Sequence, residues 1–271
     1  MTELINTHCH TGYCGHAEGD VSEYTRIAHE AGLKTLAFTD HFPLTKKFDH
    51  NDYLSVLRSD LPSYKQDVLD MREKYPDMEI LLGCELDYLG SYEDRTTIEE
   101  ELEDFDLVLG SVHFVDAWPF DDPAQAGKWE EPGAVDDIWK RNVDLWCEAA
   151  SDVSYRFEVM SHPDLAKKFD HYPSFDLAPY YKRMADAANA GGRMIEVNTS
   201  GSYYKCKDMF PCIDLLAEFN HAEVPATVGT DAHVPENVTR DIERGYDRLR
   251  EAGYKHLTVP TSGRGRREIQ L

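Results

Sequence analysis

Short apolar runs alternate with longer amphipathic stretches from one end of the chain to the other. The strand-like runs are LINTHCH (4–10), KTLAFTDH (34–41), EILLGCELD (79–87), DLVLGSVHF (106–114), RFEVMSHPD (156–164), RMIEVNTS (193–200) and PATVGTDAH (225–233), with a weaker HLTVP at 256–260. Between them the apolar spacing predicts helices at about 20–32, 51–74, 93–104, 134–151, 175–190, 210–222 and 236–252. The first opens D-V-S-E, so Asp20 is expected to cap it and Glu23 to complete a capping box. Repeated units with near-continuous apolar strands imply a parallel sheet buried on both faces. No proline- or glycine-rich linker interrupts the pattern, so residues 1–271 are expected to form a single domain. Seven or eight such units favour a barrel, although periodicity is also compatible with a doubly wound sheet. One connection, VDAWPFDDPAQAGKWEEPG at 115–133, is unusually long, the length of an active-site lid or of an inert insertion.

Composition narrows the range of functions. Hydrophobic residues make up 41% of the chain, enough for a substantial core, and no apolar run reaches the roughly 20 residues of a membrane span. The opening has no basic segment followed by an apolar one, which points to a cytoplasmic protein. The formal net charge is −23, a field that repels nucleic-acid backbones. Six cysteines without a C-x-x-C pair are expected to be reduced thiols. Cys9 and Cys14 fall within the histidine-rich opening, but strand alternation turns Cys9 away from His8 and His10.

Metal-capable side chains recur at the C-terminal ends of the predicted strands. His8 and His10 end the first, Asp40 and His41 the second, Glu85 the third, His113 the fourth, His162 the fifth, and Asp231 with His233 the seventh. His16 follows on the first loop. In a parallel barrel these ends converge on one face, where such folds place their chemistry. Taken singly, each residue is weak evidence: an H-x-H can be a buried hydrogen-bonded pair, and Asp40 is equally suited to capping a helix. Together, seven of the twelve histidines lie at or just beyond strand ends, which points to a metal site. The other five, at 29, 50, 171, 221 and 256, fall in helices, loops or a strand start.

With these residues in order, the chain resembles the PHP family, named for polymerase and histidinol phosphatase. The resemblance rests on T-H-C-H (7–10), G-H (15–16), T-D-H (39–41), G-C-E-L-D (83–87), G-S-V-H (110–113), S-H-P-D (161–164) and T-D-A-H (230–233). Within the family, G-S-V-H-F-V-D-x-W-P-F-D and E-V-N-T-S-G look most like the histidinol-phosphate phosphatase branch. What the resemblance implies is a distorted (β/α)7 TIM-like barrel, with its active site at the C-terminal ends of the strands and three divalent metal ions, Zn, Fe or Mn. Carried onto matching positions, His8, His10, Glu85 and Asp231 hold one ion. Glu85, His113 and His162 hold the second, and His16, His41 and His233 the third. Mixed imidazole and carboxylate donors suit these metals.

The implied reaction is hydrolysis of a small phosphate ester, L-histidinol phosphate, in histidine biosynthesis. Glu85 and Asp231 are the expected catalytic carboxylates, with Asp40 orienting a histidine or a water. Asn198 and Ser200 end the sixth strand, which offers no metal ligand, and are expected to face substrate. Lys168 and Lys205 are the candidate phosphate contacts. Asp116, Asp121 and Asp122 on the long loop are candidates for the substrate's cationic end; solvated surface acids are the plainer alternative. Three other readings remain open: a PHP phosphoesterase for another small phosphate or nucleotide, a non-catalytic metal-binding module, and a nucleic-acid exonuclease, which the charge disfavours. An amide hydrolase of similar barrel form commonly needs a bridging lysine at a strand end, and none is present.

Overall fold

The computed structural model describes residues 2–90 and 95–271. In chain order the strands are β1 (Ile5–Asn6), β2 (Thr35–Phe38), β3 (Glu79–Asp87), β4 (Leu107–Ser111), β5 (Phe114–Val115), β6 (Trp118–Pro119), β7 (Val159–Met160), β8 (Met194–Asn198), β9 (Ala226–Gly229), β10 (His256–Thr261) and β11 (Gly265–Gln270). The helices are α1 (Val21–Glu30), α2 (Leu61–Lys74), α3 (Arg95–Glu101), α4 (Ala134–Ser151), α5 (Ala178–Gly191), α6 (Ile213–His221) and α7 (Ile242–Glu251).

Seven strands form one parallel sheet in the order β1-β2-β3-β4-β7-β8-β9. The sheet curls until its first and last strands meet. Thr7 N–H donates to Val228 O (3.1 Å), Asp231 N–H to His8 O (2.8 Å) and His10 N–H to Ala232 O (2.9 Å). The fold is thus the distorted seven-stranded TIM-like barrel that the motifs imply.

Alternation along the strands divides the core in two. Leu36 and Phe38, Ile80 and Leu82, and Val108 face outward and join the large cluster packed under the helices. Ala37, Leu81, Leu107, Leu109, Val159 and Met194 form a separate small cluster, the apolar floor inside the barrel. Further along, the same inward parity turns polar: Leu81 leads to Glu85 and Asp87, Leu109 to Ser111 and His113, and Met194 to Glu196 and Asn198. One face of each strand therefore supplies apolar filling below and chemistry above.

Three features depart from the expected elements. HLTVP does not join the barrel; β10 pairs antiparallel with β11, a strand the periodicity does not reveal. This hairpin covers the N-terminal ends of the barrel strands, where Ser262 N–H donates to Glu79 Oε1 (3.1 Å) and Gly263 N–H to Asp106 Oδ1 (2.9 Å). Helix α2 begins at Leu61 rather than near residue 51, with Pro62 in its first turn. The long connection is folded, carrying the β5–β6 hairpin and a 3-10 stretch at Pro123–Glu130. Buried Trp129 anchors it through Nε1–H to Phe120 O (2.8 Å) and by stacking on His171 at 5.2 Å. At α1, Asp20 does accept the Glu23 N–H (2.9 Å).

Candidate metal centre

The strand ends bring nine histidine and carboxylate side chains to one point. Glu85 lies at its middle, buried at the end of β3. Its Oε2 is 3.4 Å from His8 Nε2, 3.4 Å from His10 Nε2 and 3.2 Å from His41 Nδ1. Its Oε1 is 2.9 Å from His162 Nε2 and 3.6 Å from His113 Nε2. Asp231 Oδ1 lies 3.2 Å from His10 Nε2 and 3.6 Å from His8 Nε2. His16 Nε2 and His233 Nε2 face each other at 3.2 Å. His162 and Asp231 reach the centre from left-handed backbone, with φ of 22° and 50°. Such strain persists in non-glycine residues only where the surroundings enforce it.

Electrostatics sorts the cluster into neutral and charged members. Burial would raise the Glu85 carboxyl, but His41, His8, His113 and the His162 hydrogen bond hold it well below the usual carboxylate range. Asp231 is likewise kept ionised, against burial, by His8, His10 and His233. Burial lowers His10 to about 3, with the neighbouring His233 adding to the effect, and burial also depresses His41 and His233. For His8 and His113 burial is outweighed. Glu196, Glu85 and Asp231 raise His8, and Asp87 with Glu85 raises His113 to about 10.

The donor set suits divalent ions. His8, His10 and Glu85 offer ligand atoms within 4.8 Å of one another, as do His41, Glu85 and His113, and His10, His41 and His233. His10 Nδ1 is buried with no hydrogen-bond partner, and His41 Nδ1, 3.2 Å from Glu85 Oε2, is buried without the alignment of a hydrogen bond. Unpaired buried polar atoms are costly, and imidazole nitrogens crowded round two carboxylates form a natural cage for cations. The two cysteines of the opening segment differ: Cys9 turns away, whereas Cys14 Sγ groups with His10 and Asp40, their ligand atoms within 4.8 Å of one another. Cys9 Sγ donates to Ala37 O (3.2 Å) within the apolar layer, and Cys14 Sγ to Thr11 O (3.2 Å).

A second layer holds these ligands in place. His8 Nδ1 meets Glu196 Oε1 at 2.8 Å, and the other Glu196 oxygen accepts the His162 N–H (3.0 Å). His113 Nδ1 meets Asp87 Oδ1 at 2.8 Å. Ser111 and Ser161 hydroxyls hydrogen-bond Glu85 Oε1. These residues lie within the quoted motifs but carry no role there, and parity alone points to several. Asp87 is two positions from Glu85, Ser111 two from His113, and Glu196 two from Asn198. Carboxylates that orient ligating histidines also raise their basicity as ligands.

The remaining candidates divide by location. Asp40 is buried and accepts the Thr11 N–H (2.8 Å) and Thr11 Oγ1–H (2.9 Å), so it clamps the turn after His10 rather than capping a helix; burial lifts its carboxyl to about 7. Asn198 and Ser200 are buried beside Asp231, donating to its Oδ2 at 3.4 and 3.3 Å, and they stay off the cavity wall. Lys168 lines the cavity, bound to Asp121 at 2.9 Å and lying 4.7 Å over the Tyr204 ring. Lys205 is exposed and outside the cavity, because the 3-10 turn at Thr199–Tyr203 directs it to solvent. Asp116 is also outside; it sits at the β5–β6 turn with φ 51° and pairs with Arg141 on α4 at 3.4 Å. Asp121 and Asp122 from the same connection do line the cavity. Arg240, which no motif flagged, lines it too.

The cavity over the cluster measures about 520 Å³. Tyr53 and Tyr203, both about half exposed, lie among its lining residues. A closed parallel barrel with clustered histidines and carboxylates under a cavity at its strand ends defines a metal-dependent hydrolase class of site.

Comparison with known proteins specifies the class. The PHP domain model matches residues 6–200, and the chain belongs to the PHP family. A probable histidinol-phosphatase of Deinococcus radiodurans is 31% identical over 260 residues, covering 95% of this chain and 97% of the relative. The histidinol-phosphatase of Bacillus subtilis is 23% identical over 247 residues, covering 83% and 92%. Among solved structures, the histidinol phosphate phosphatase of Lactococcus lactis complexed with Zn, L-histidinol and phosphate aligns with a TM-score of 0.80. It is 18% identical and covers 98% of this chain and 99% of that one.

Proposed function

We propose that this protein is a phosphoric monoester hydrolase that converts L-histidinol phosphate and water to L-histidinol and phosphate. The observation that carries the proposal is the convergence of nine imidazole and carboxylate groups under one cavity. Family membership and the names of the similar proteins support the substrate.

The chain's own residues fit three divalent ions of the zinc, iron or manganese kind. His8, His10, Glu85 and Asp231 would hold one, Glu85, His113 and His162 a second, and His16, His41 and His233 a third. Such ions supply charge neutralisation at phosphoryl oxygens and a lowered pKa for water. Glu85 and Asp231, ionised by their histidine neighbours, fix the charge of the site. Glu196 and Asp87 lock the rings of His8 and His113. Asp121 is held in its charged form, against burial, by Lys168, and presents a carboxylate to the cavity. It is suited to the ammonium or imidazolium end of histidinol phosphate. The connection at 115–133 would serve as the wall that positions this end, and residues 1–271 act as one catalytic domain.

The test is an assay of protein stripped with chelator and reloaded separately with Zn, Fe or Mn, against phosphomonoesters that include histidinol phosphate. The expected result is two to three ions bound per chain and the highest kcat/KM on histidinol phosphate. A preparation active with at most one ion sinks the three-ion arrangement, and preference for another ester sinks the substrate.

A further inference from the structure

The consecutive residues Tyr203 and Tyr204, in the connection after β8, each support a cation at the cavity wall. Lys168 lies 4.7 Å over the Tyr204 ring, and the Arg240 guanidinium lies 3.8 Å over the Tyr203 ring. The two cations are not equivalent. Lys168 is committed to Asp121 at 2.9 Å. Lys167, its neighbour, is buried facing elsewhere, between Asp164 (2.9 Å) and Asp208 (2.8 Å). Arg240 has no carboxylate within 4.0 Å among the described residues, and its Nε is buried without a hydrogen-bond partner. The nearest acid in sequence, Asp241, is taken by Tyr203 Oη–H (2.8 Å) and by Arg244 Nη1 (2.9 Å).

The backbone around Arg240 is fixed. Its carbonyl accepts the Thr199 hydroxyl (2.8 Å), and its N–H donates to Asn237 O (3.0 Å). The segment that carries it also supplies Asp231 and His233, and all three residues line one cavity. Building on the phosphomonoesterase reading, we infer that Arg240, shelved on Tyr203, is the side chain that grips the phosphoryl group of the substrate. An unpaired guanidinium presents forked donors that match two phosphate oxygens. Stacking on a tyrosine ring keeps that fork flat and oriented. The neutralised Lys168–Asp121 pair is left to contact the rest of the substrate.

The experiment compares Arg240→Gln, Arg240→Lys and Tyr203→Leu in the metal-loaded enzyme. Histidinol phosphate and p-nitrophenyl phosphate serve as substrates, inorganic phosphate as competitive inhibitor, and elemental analysis gives metal content. Arg240→Gln is expected to lower kcat/KM for both esters by about ten- to a hundredfold, the range of a charge-assisted hydrogen bond. Most of the loss should fall on KM, with a parallel rise in the phosphate inhibition constant and full metal occupancy. Arg240→Lys should recover part of it, and Tyr203→Leu should lie between wild type and Arg240→Gln. An unchanged phosphate inhibition constant in Arg240→Gln overturns the assignment. Loss of metal from both Arg240 variants also overturns it, since Arg240 would then be holding the loop. Wild-type turnover of p-nitrophenyl phosphate alone would remove histidinol phosphate as the substrate, while the Arg240 comparison proceeds on the aryl ester.

Discussion

Glu85 contacts histidines drawn from just beyond β1, β2, β4 and β7, so its charge is shared more widely than that of any single imidazole. Glu85→Gln nearly preserves shape while removing that charge. Its expected effect is lowered metal occupancy and a loss of kcat/KM of at least about 10²-fold, the scale of removing an electrostatic or acid–base group. Elemental analysis and kinetics on the same preparation check it; wild-type turnover in this variant contradicts a bridging position. Several residues of this kind were legible because spacing fixes which side of a strand they occupy. Lys205 and Asp116 were not, because each sits on a turn whose backbone leaves strand geometry, and period-two reasoning ends there. Arg240 escaped because nothing in the sequence places a residue nine positions beyond Asp231 back over the same cavity.

At the scale of elements, β9 shows how a strand that ends in glycine makes room for the site. An added methyl at Gly229 would overlap Glu196 Oε1 and His8 Cβ. Gly229→Ala should therefore push Glu196 from His8 Nδ1, now 2.8 Å away. Metal affinity should fall about 10- to 100-fold, as for other losses of a ligand-orienting carboxylate, with overpacking costing about 1–3 kcal/mol of stability. Metal titration and thermal unfolding measure the two effects, and Gly127→Ala, where an added methyl meets nothing within 4 Å, is the control. Equal metal affinity in the two variants would contradict this role for β9. The strands themselves were legible as apolar runs, although the floor of the barrel and the outer layer became separable only with the register. The start of α2 was misplaced because Tyr53, Leu54, Val56 and Leu57 imitate helical spacing, whereas Pro62, a first-turn residue, marks the true start. Strand β11, G-R-R-E-I-Q, is too charged to announce itself and exists through its pairing with β10.

For the whole molecule, the metal-free state should have a distinctive dependence on pH. His8 and His113 have raised pKa values, against burial, because carboxylates face them. Stability from such a group is complete below the unfolded value near 6.5 and is lost as pH rises, for His113 through about 10. His10, His41 and His233 are depressed by burial, so the unfolded chain takes up their protons first and stability also falls as pH drops below about 6.5. Chelator-treated protein is thus expected to be most stable near pH 6.5. Reloading should stabilise the fold by an amount that depends on ion concentration, about 2.7 kcal/mol per ion at a hundredfold excess over Kd, and should raise Tm accordingly. Uptake at pH 7 should also release protons from His8 and His113, measurable by calorimetry in buffers of different ionisation enthalpy. A flat stability profile for the metal-free protein would contradict this charge assignment.

The seam between β1 and β9 also bears on how the protein is made. His8 and His10 leave a ribosome well before the partners that close the barrel beside them, Asp231 and Ala232. Until the segment after β9 is made, the chain therefore carries two histidines with no Asp231 carboxylate to face, and an incomplete ring of donors from the ends of β3, β4 and β7. Capture of metal by the full cage would therefore follow this non-local closure, the kind of pairing that makes such folds slow to complete. Ions held there would act as a clasp across that seam.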